Sequence, residues 1–507
     1  MMRHNVPFSR RPLALAALAC GLLAGCNLAP RYEAPALPVA TTLPAVQTAQ
    51  AGVALGEAGP MAWQDFVQAP PLRELTTLAL DNNRDLRVAA IAIEKARAQY
   101  GISRADLFPT VAATGAGTRT RTADDLTTAG RANVTGQYSA SLGFSSYEID
   151  FFGRVRNLNE TALQEFLRVE DNRRSVQLSL VAELAGAWLG LQADARRLQL
   201  ARNTLATRQK ALDLTRQSNA LGASSGLVLA QAQTAADTAR VDVAAYVAQV
   251  ARGRNALALL VGAPVPAALL PEAVAQAEQP PAAVPANGAA PLLPPPAPSA
   301  AALLAIPADL PSSVLLRRPD VQAAEHTLQG ATANIGAARA AFFPSITLTA
   351  SVGTASNELS GLFGGGNGTW SFAPQIRLPL FDAGRNRANL GVAEANRDTA
   401  VAQYEKTIQT AFREVADALA DRATLDERLA AQESLVAASQ RALDLSQARF
   451  RLGADNYLTL LDAQRTLYAA QQTQITLQLA EQVNRITLYK VLGGQWSGPA
   501  TPPATAG

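Results

Sequence analysis

Few residues of this 507-residue chain could carry out covalent or acid–base chemistry. It contains two cysteines and two histidines, too few for a disulfide framework or a cysteine–histidine metal cluster. His326 stands alone in a helical pattern, and the paired carboxylates Glu148 and Asp150 have no pocket-forming pattern around them. The glycine-rich segment 361–368 lies between two predicted strands, whereas a phosphate-binding loop leads into a helix. We therefore predict that the protein is not an enzyme and has no metal or other bound cofactor.

The composition limits the function further. The formal net charge is +3 and only 17% of the residues are charged, so electrostatics gives no reason to expect a nucleic-acid partner. Alanine, leucine, glutamine and arginine dominate long stretches, and these residues favour helix.

The N-terminus has the pattern of an export signal followed by an anchor. Three arginines among the first eleven residues precede the apolar segment 13–23, which is too short to span a bilayer. It ends in Leu-Ala-Gly before Cys26, which resembles the lipobox of bacterial lipoproteins, where the cysteine becomes the lipidated N-terminus. The alternative is an ordinary secretory signal with an incidental cysteine. Asn27 replaces the aspartate that tends to retain such lipoproteins at the inner membrane, so we expect a lipid on Cys26 and export to the outer membrane.

The chain is duplicated. Short sequences recur 231 residues later: Ala211–Leu214 as Ala442–Leu445, Leu221-Gly222 as Leu452-Gly453, and Gly153-Arg154 as Gly384-Arg385. A constant distance over many landmarks indicates one large repeated unit and not a solenoid of short repeats. Each unit reads as a helical stretch, a Phe-Pro stop, two strands, a very long helix, a glycine-containing turn and a last helix.

The strands are inferred from alternation. Segments of about ten residues, such as 346–353 and 370–380, alternate apolar and polar side chains. This pattern is typical of a transmembrane β-barrel, and the alternative is a soluble sheet with one buried face. Four strands cannot close a barrel, and an open edge in lipid leaves unpaired backbone groups. The chain must therefore oligomerise, and two copies would give eight strands and three would give twelve.

The helices set the predicted length of the molecule. Residues 154–221 and 385–452 contain no proline, and each would extend about 100 Å as one helix. The other helical stretches are about half as long, so two of them stacked end to end would match one long helix. The Pro/Ala-rich stretch between the two units reads as an extended linker.

These patterns give the following domain boundaries: a signal peptide at 1–25, a lipid-anchored segment and belt at 26–71, a first repeat at 72–262, a linker at 263–311, a second repeat at 312–495 and a tail at 496–507. Strands are predicted at about 110–149 and 345–381, and turns at the helical tips at about 221–226 and 452–457.

Three segments carry a resemblance to a known family: Tyr147–Arg154, Leu378–Arg385 and Arg451–Arg465. They resemble the strand-to-helix junctions and the second tip of the TolC/OprM outer-membrane efflux proteins, lipoprotein branch. The resemblance implies a mainly α-helical homotrimer with a twelve-stranded transmembrane β-barrel, continued by a long periplasmic α-helical barrel with an equatorial belt. It further implies a periplasmic adaptor protein and an inner-membrane RND-type transporter as partners.

The resemblance also implies site residues at the periplasmic mouth. Leu458 matches an apolar constriction, Asp462 an acidic ring, and Arg465 lies one turn further along. Thr459 stands where the TolC subfamily has a second acidic residue, which puts a double acidic ring in doubt. Without the resemblance, Asp462 would be read as part of a solvated helix face.

The tip residues Gly222, Ser225, Gly453 and Asp455 are expected to dock the adaptor. Glycine permits the positive φ of a helix end, and Ser225 or Asp455 can cap the helix that follows. Simple capping of a helix–turn–helix is the alternative role.

The predicted function is passive conduction of small molecules, such as drugs or other toxic compounds, from a tripartite pump through the outer membrane. Two alternatives remain at this stage. The same type of channel could serve protein or oligosaccharide secretion, or the chain could be a surface-anchored helical scaffold without a pore. The predicted location is the bacterial outer membrane, with a lipid anchor and a large periplasmic part.

Overall fold

The computed structural model describes residues 27–40, 62–128, 130–279, 303 and 312–494. The predicted signal peptide and Cys26 lie outside these residues. The chain divides into two compact units. The sheet unit comprises the described parts of Met1–Ala36, Ala92–Glu170 and Ala323–Glu405, and the helical unit those of Leu37–Ile91, Asp171–Gln322 and Lys406–Gly507.

The strands form one antiparallel sheet in the sheet unit. They are β1 (Val111–Arg121), β2 (Val134–Ile149), β3 (Ser345–Ser356) and β4 (Gly368–Arg377), in the order β1–β2–β3–β4. Each repeat thus contributes a hairpin, and the two hairpins join through β2 and β3. Within the described residues, β1 and β4 have a neighbouring strand on one side only, and all their residues are exposed in a single chain.

β4 is shorter than the alternation suggested. It ends at Arg377 because Pro379 has no backbone N–H for a ladder and restricts the residue before it. The predicted continuation to residue 381 is therefore an extended link to the next helix. β1 forms a full strand although its small residues blur the alternation.

The described residues form these helices: α1 (Trp63–Phe66), α2 (Pro70–Asn82), α3 (Arg84–Ala105), α4 (Arg154–Ala220), α5 (Gly226–Val261), α6 (Glu272–Glu278), α7 (Pro319–Ala340), α8 (Arg385–Arg451) and α9 (Tyr457–Val491). α4 and α8 have 67 residues each, as expected from their lack of proline. Each follows a glycine with positive φ, Gly153 at 77° and Gly384 at 85°. The duplication is thus repeated in the backbone.

The first helical stretch of the first repeat, which the sequence predicts from about residue 72 to 106, is divided into α2 and α3. Asn83 separates α2 from α3 with an extended backbone, and its side-chain oxygen accepts a hydrogen bond from the N–H of Leu86 at 2.9 Å. Its Nδ2 donates to the carbonyl of Leu260 at 2.8 Å. Asn83 therefore ends one helix, caps the next and ties both to the end of α5.

The helical unit has an apolar core around the short helices. Phe66 of α1 stacks on Tyr489 of α9, with ring centroids 4.2 Å apart. Leu72 and Leu75 of α2 are fully buried, and the indole nitrogen of Trp188 donates to the carbonyl of Leu269 at 3.0 Å. By length and composition, α4 could cross a membrane, but half of its most apolar window is buried within the protein, as in a core helix.

Candidate functional site

The first tip lies between α4 and α5 and is built by backbone hydrogen bonds. Gly222 has φ of 72°, and the N–H of Ala223 donates to the carbonyl of Ser218 at 2.8 Å. This pairing closes the end of α4 as a left-handed C-terminal cap. The hydroxyl oxygen of Ser225 then accepts a hydrogen bond from the N–H of Val228 at 3.3 Å and caps α5. The sequence predicted both roles.

The second tip repeats this turn with a different cap. Gly453 has φ of 74°, and the N–H of Ala454 donates to the carbonyl of Arg449 at 2.9 Å. The N-cap of α9 is Asn456, whose Oδ1 accepts a hydrogen bond from the N–H of Thr459 at 3.0 Å. The suggestion that Asp455 caps this helix is therefore wrong.

Asp455 instead forms an ion pair across the turn. Its two carboxylate oxygens accept hydrogen bonds from Nε and the terminal nitrogen of Arg449, at 2.7 and 2.9 Å. The hydrogen bond lowers the pKa of the Asp455 carboxyl below its usual range and raises the pKa of Arg449. The first tip has Ser218 at the position of Arg449, so the two tips share a backbone turn but differ in charge.

Both tips expose apolar side chains at equivalent positions. Leu221 and Leu452, the residues before each glycine, are each 84% exposed. Leu227 and Leu458, in the first turns of α5 and α9, are 68% and 51% exposed. Apolar groups held in water at both turns are a feature of surfaces that meet another protein or another copy of the chain.

The predicted gate residues lie on one exposed side of α9. Asp462 and Arg465 are exposed and less than one turn apart, and the described residues of one chain form no ion pair between them. Behind them lies an apolar cluster that holds α9 against α4, α5 and α8: Leu212, Ala232, Ala235, Ala236, Leu443, Tyr457, Leu460, Leu461 and Leu467. The cluster fixes the helix that carries Leu458, Asp462 and Arg465.

A buried polar group next to this cluster was not found by sequence analysis. Arg208 of α4 is almost fully buried, and one of its terminal nitrogens donates to the carbonyl of Ala235 at 3.1 Å. Its guanidinium carbon lies 5.7 Å from the ring centroid of Tyr468. The Tyr468 hydroxyl donates to Oδ2 of Asp242 at 3.1 Å. No local motif marks these residues, because they come from three separate helices.

The segment that follows Cys26 is tied to the sheet unit. Oδ1 of Asn27 accepts a hydrogen bond from Nδ2 of Asn157 in the first turn of α4, at 2.9 Å. The Tyr32 hydroxyl donates to Oε1 of Glu325 on α7 at 2.9 Å. The residue after Cys26 is therefore held at the junction where β2 passes into α4.

Charged side chains at this junction pair within the chain. Nε of Arg154 donates to Oε1 of Glu148 at 2.8 Å, and Arg156 pairs with Asp150 at 3.3 Å. The two carboxylates therefore hold the start of α4.

Comparison with known proteins agrees with the fold and matches both repeats. The outer membrane efflux protein family model matches residues 75–263 and 310–494. The chain is 47% identical to the antibiotic efflux pump outer membrane protein ArpC of Pseudomonas putida over 479 residues, 94% of each chain. It is 46% identical to the toluene efflux pump outer membrane protein TtgC of the same species, with the same coverage.

A solved structure shows the same fold. The open state of the MtrE outer membrane channel of Neisseria gonorrhoeae matches with a TM-score of 0.77 and 38% identity, over 93% of this chain and 98% of that one. The chain therefore belongs to the outer membrane efflux protein family. This confirms the predicted family, the mainly helical fold with its four-stranded sheet, and a role as an outer-membrane efflux channel, and it favours efflux over the two alternatives.

Proposed function

We propose that three copies of the chain form one passive channel, which receives small molecules from a periplasmic adaptor and an inner-membrane RND-type transporter. The free edges of β1 and β4 support this proposal, since each edge can pair with the next copy and the sheet then closes with twelve strands. The names of the relatives suggest antibiotics and aromatic solvents as substrates.

The exposed apolar tips are the proposed adaptor-docking surface. Gly222 and Gly453 set the two turns, and Ser225 holds the first turn by its cap. Asp455 is engaged with Arg449, so the second tip offers a rigid ion pair beside its exposed leucine. Because the duplication gives each chain two tips with the same backbone turn, the adaptor could dock at both of them.

The proposed periplasmic gate is formed by Leu458, Asp462 and Arg465. In a closed trimer, apolar Leu458 side chains would narrow the mouth, and Asp462 would pair with Arg465 of another copy. The observation that carries this assignment is the exposure of all three side chains on α9 in a single chain. Another copy of the chain can therefore contact them. A lipid on Cys26 would anchor the assembly, and the next residue, Asn27, is hydrogen-bonded to Asn157 in the first turn of α4.

Conductance measurements test both the channel and the gate. Purified trimer in planar bilayers should conduct, and Asp462→Ala should raise the current measured from the periplasmic side because it removes the charge that pairs with Arg465. Asp444→Ala, which removes an exposed aspartate of α8, is the matched control and should leave the current unchanged. Absence of any current would refute the pore, and equal currents for Asp462→Ala and the wild type would refute the gate assignment alone.

A further inference from the structure

Arg208 is a buried cation, and no carboxylate of the described residues forms an ion pair with it. Its only hydrogen bond in the described structure is to the carbonyl of Ala235, and its Nε has no partner there. Burial is the main cause that lowers the pKa of the Arg208 guanidinium. A buried charge of this kind is costly unless nearby groups stabilise it.

The stabilising groups come from the other two helices of the tip. The face of the Tyr468 ring lies next to the guanidinium, and the Tyr468 hydroxyl is bound to the carboxylate of Asp242. Tyr468 and Asp242 both raise the pKa of Arg208, which opposes the effect of burial. Asp242 on α5, Tyr468 on α9 and Arg208 on α4 thus form a relay of two contacts, from carboxylate to hydroxyl and from ring face to guanidinium.

This relay is close to the proposed gate. Arg465 precedes Tyr468 by three positions on α9 and lowers the pKa of Arg208, as a second positive charge nearby must. Arg208 cannot move away because its side chain is enclosed, whereas Arg465 is exposed. The part of α9 that Arg208 contacts through Tyr468 is therefore next to Arg465, whose exposed side chain another copy of the chain can reach.

We propose that Arg208 is a positioning residue of the periplasmic gate: together with Asp242 it holds Tyr468, and so fixes the turns of α9 that carry Asp462 and Arg465. This inference rests on the proposed function of Asp462 and Arg465. It adds three residues, Arg208, Tyr468 and Asp242, that do not line the mouth but set the position of those that do.

The chain contains a neutral counterpart of this relay one turn away. The Tyr246 hydroxyl of α5 donates to Oε1 of Gln472 on α9 at 3.2 Å. It joins the same two helices through one tyrosine hydroxyl, but neither partner is charged. Tyr246→Phe therefore removes a hydrogen bond to the neutral Gln472, which also interacts with the Tyr468 hydroxyl, whereas Tyr468→Phe removes the hydrogen bond to Asp242.

The test compares single-channel recordings from the periplasmic side for Tyr468→Phe, Arg208→Met, Arg208→Lys and Tyr246→Phe. We expect Tyr468→Phe and Arg208→Met to raise the open probability about fivefold, the effect of one lost hydrogen bond. Arg208→Lys, which keeps the charge, should restore most of the wild-type behaviour, and Tyr246→Phe should behave as the wild type. Trimer mass and melting temperature are measured for each variant to separate gating from folding.

Two results would overturn the proposal. If Tyr468→Phe and Arg208→Met gate as the wild type while Asp462→Ala opens the channel, the gate exists but Arg208 does not position it. If Tyr246→Phe opens the channel as much as Tyr468→Phe, general packing of α5 and α9 is responsible and the charge is not. If Arg208→Met does not assemble as a trimer, the open probability of Tyr468→Phe alone tests the proposal. If Asp462→Ala conducts as the wild type does, the assignment of the gate to Asp462 is refuted.

Discussion

Two glycines determine how closely the hairpins of the two repeats can approach. A Cβ atom on Gly353 of β3 would lie 2.2 Å from the carbonyl oxygen of Ala140, and one on Gly143 of β2 would lie 2.3 Å from that of Ala350. Both obstacles are backbone atoms in the central β2–β3 pair. No side-chain rotation can relieve such contacts, so the strands themselves would have to separate.

Gly353→Ala should therefore destabilise the sheet. We expect a cost of about 1–3 kcal/mol, as for overpacking elsewhere, and a lower melting temperature of the β-signal in circular dichroism of the purified trimer. Gly115→Ala in β1 is the matched control, since an added Cβ there meets no atom within 4 Å. Equal melting temperatures for the two variants would show that β2 and β3 tolerate separation.

At the scale of residues, the sequence predicted the roles that depend on neighbours along the chain. Gly222 and Gly453 adopt the positive φ expected of a glycine after a long helix, and Ser225 caps α5. The roles of Asp455 and Arg208 depend on partners that only the folded turn or another helix supplies. Composition and spacing do not reveal such partners.

Arg318 joins three helices of the helical unit at one point. Its guanidinium nitrogens donate to Asp320 at the start of α7, to Glu414 of α8 and to the carbonyl of Val491 at the end of α9, each at 2.7 to 3.0 Å. The side chain is 9% exposed, so water cannot replace these partners easily. The ends of the stacked short helices are thereby fixed to the long helix.

Arg318→Ala should destabilise the helical unit by about 1.5–3 kcal/mol, because it removes the charged hydrogen bonds to Asp320, Glu414 and the carbonyl of Val491. Arg413→Ala is the control: its pair with Asp417 spans 4.0 Å, both side chains are more than 70% exposed, and such pairs contribute at most about 1 kcal/mol. Chemical denaturation followed by helical circular dichroism measures both. Similar losses would mean that Arg318 is no more important than a surface arginine.

The elements themselves were largely predictable. α4 and α8 follow from long runs without proline, and the strands follow from alternation and the Phe-Pro stops. The break at Asn83 was missed, because asparagine is tolerated within a helix and its role here depends on a distant carbonyl at Leu260. The register between β2 and β3 was likewise beyond sequence analysis, since it joins strands from different repeats.

At the scale of the whole molecule, a single chain is incomplete as a membrane protein. Its sheet has two free edges, and unpaired backbone groups at such edges cost several kcal/mol each in lipid. Pairing with two further copies removes both edges. The same edges would favour aggregation of an isolated chain in water, so assembly and membrane insertion are expected to be coupled.

The anchor and the assembly can be tested on one purified sample. We expect a trimer in the outer-membrane fraction and a lipid adduct on the mature chain, because the residues before Cys26 resemble a lipobox and Asn27 lacks the charge that retains such lipoproteins at the inner membrane. Cys26→Ser should lose the adduct in mass spectrometry, whereas Cys20→Ser should keep it, since that cysteine lies in the predicted signal peptide. Several acyl chains together suffice for stable anchoring. An unmodified wild-type chain would refute the lipid anchor but leave the channel possible, whereas a soluble monomer would show that the strands do not close a barrel.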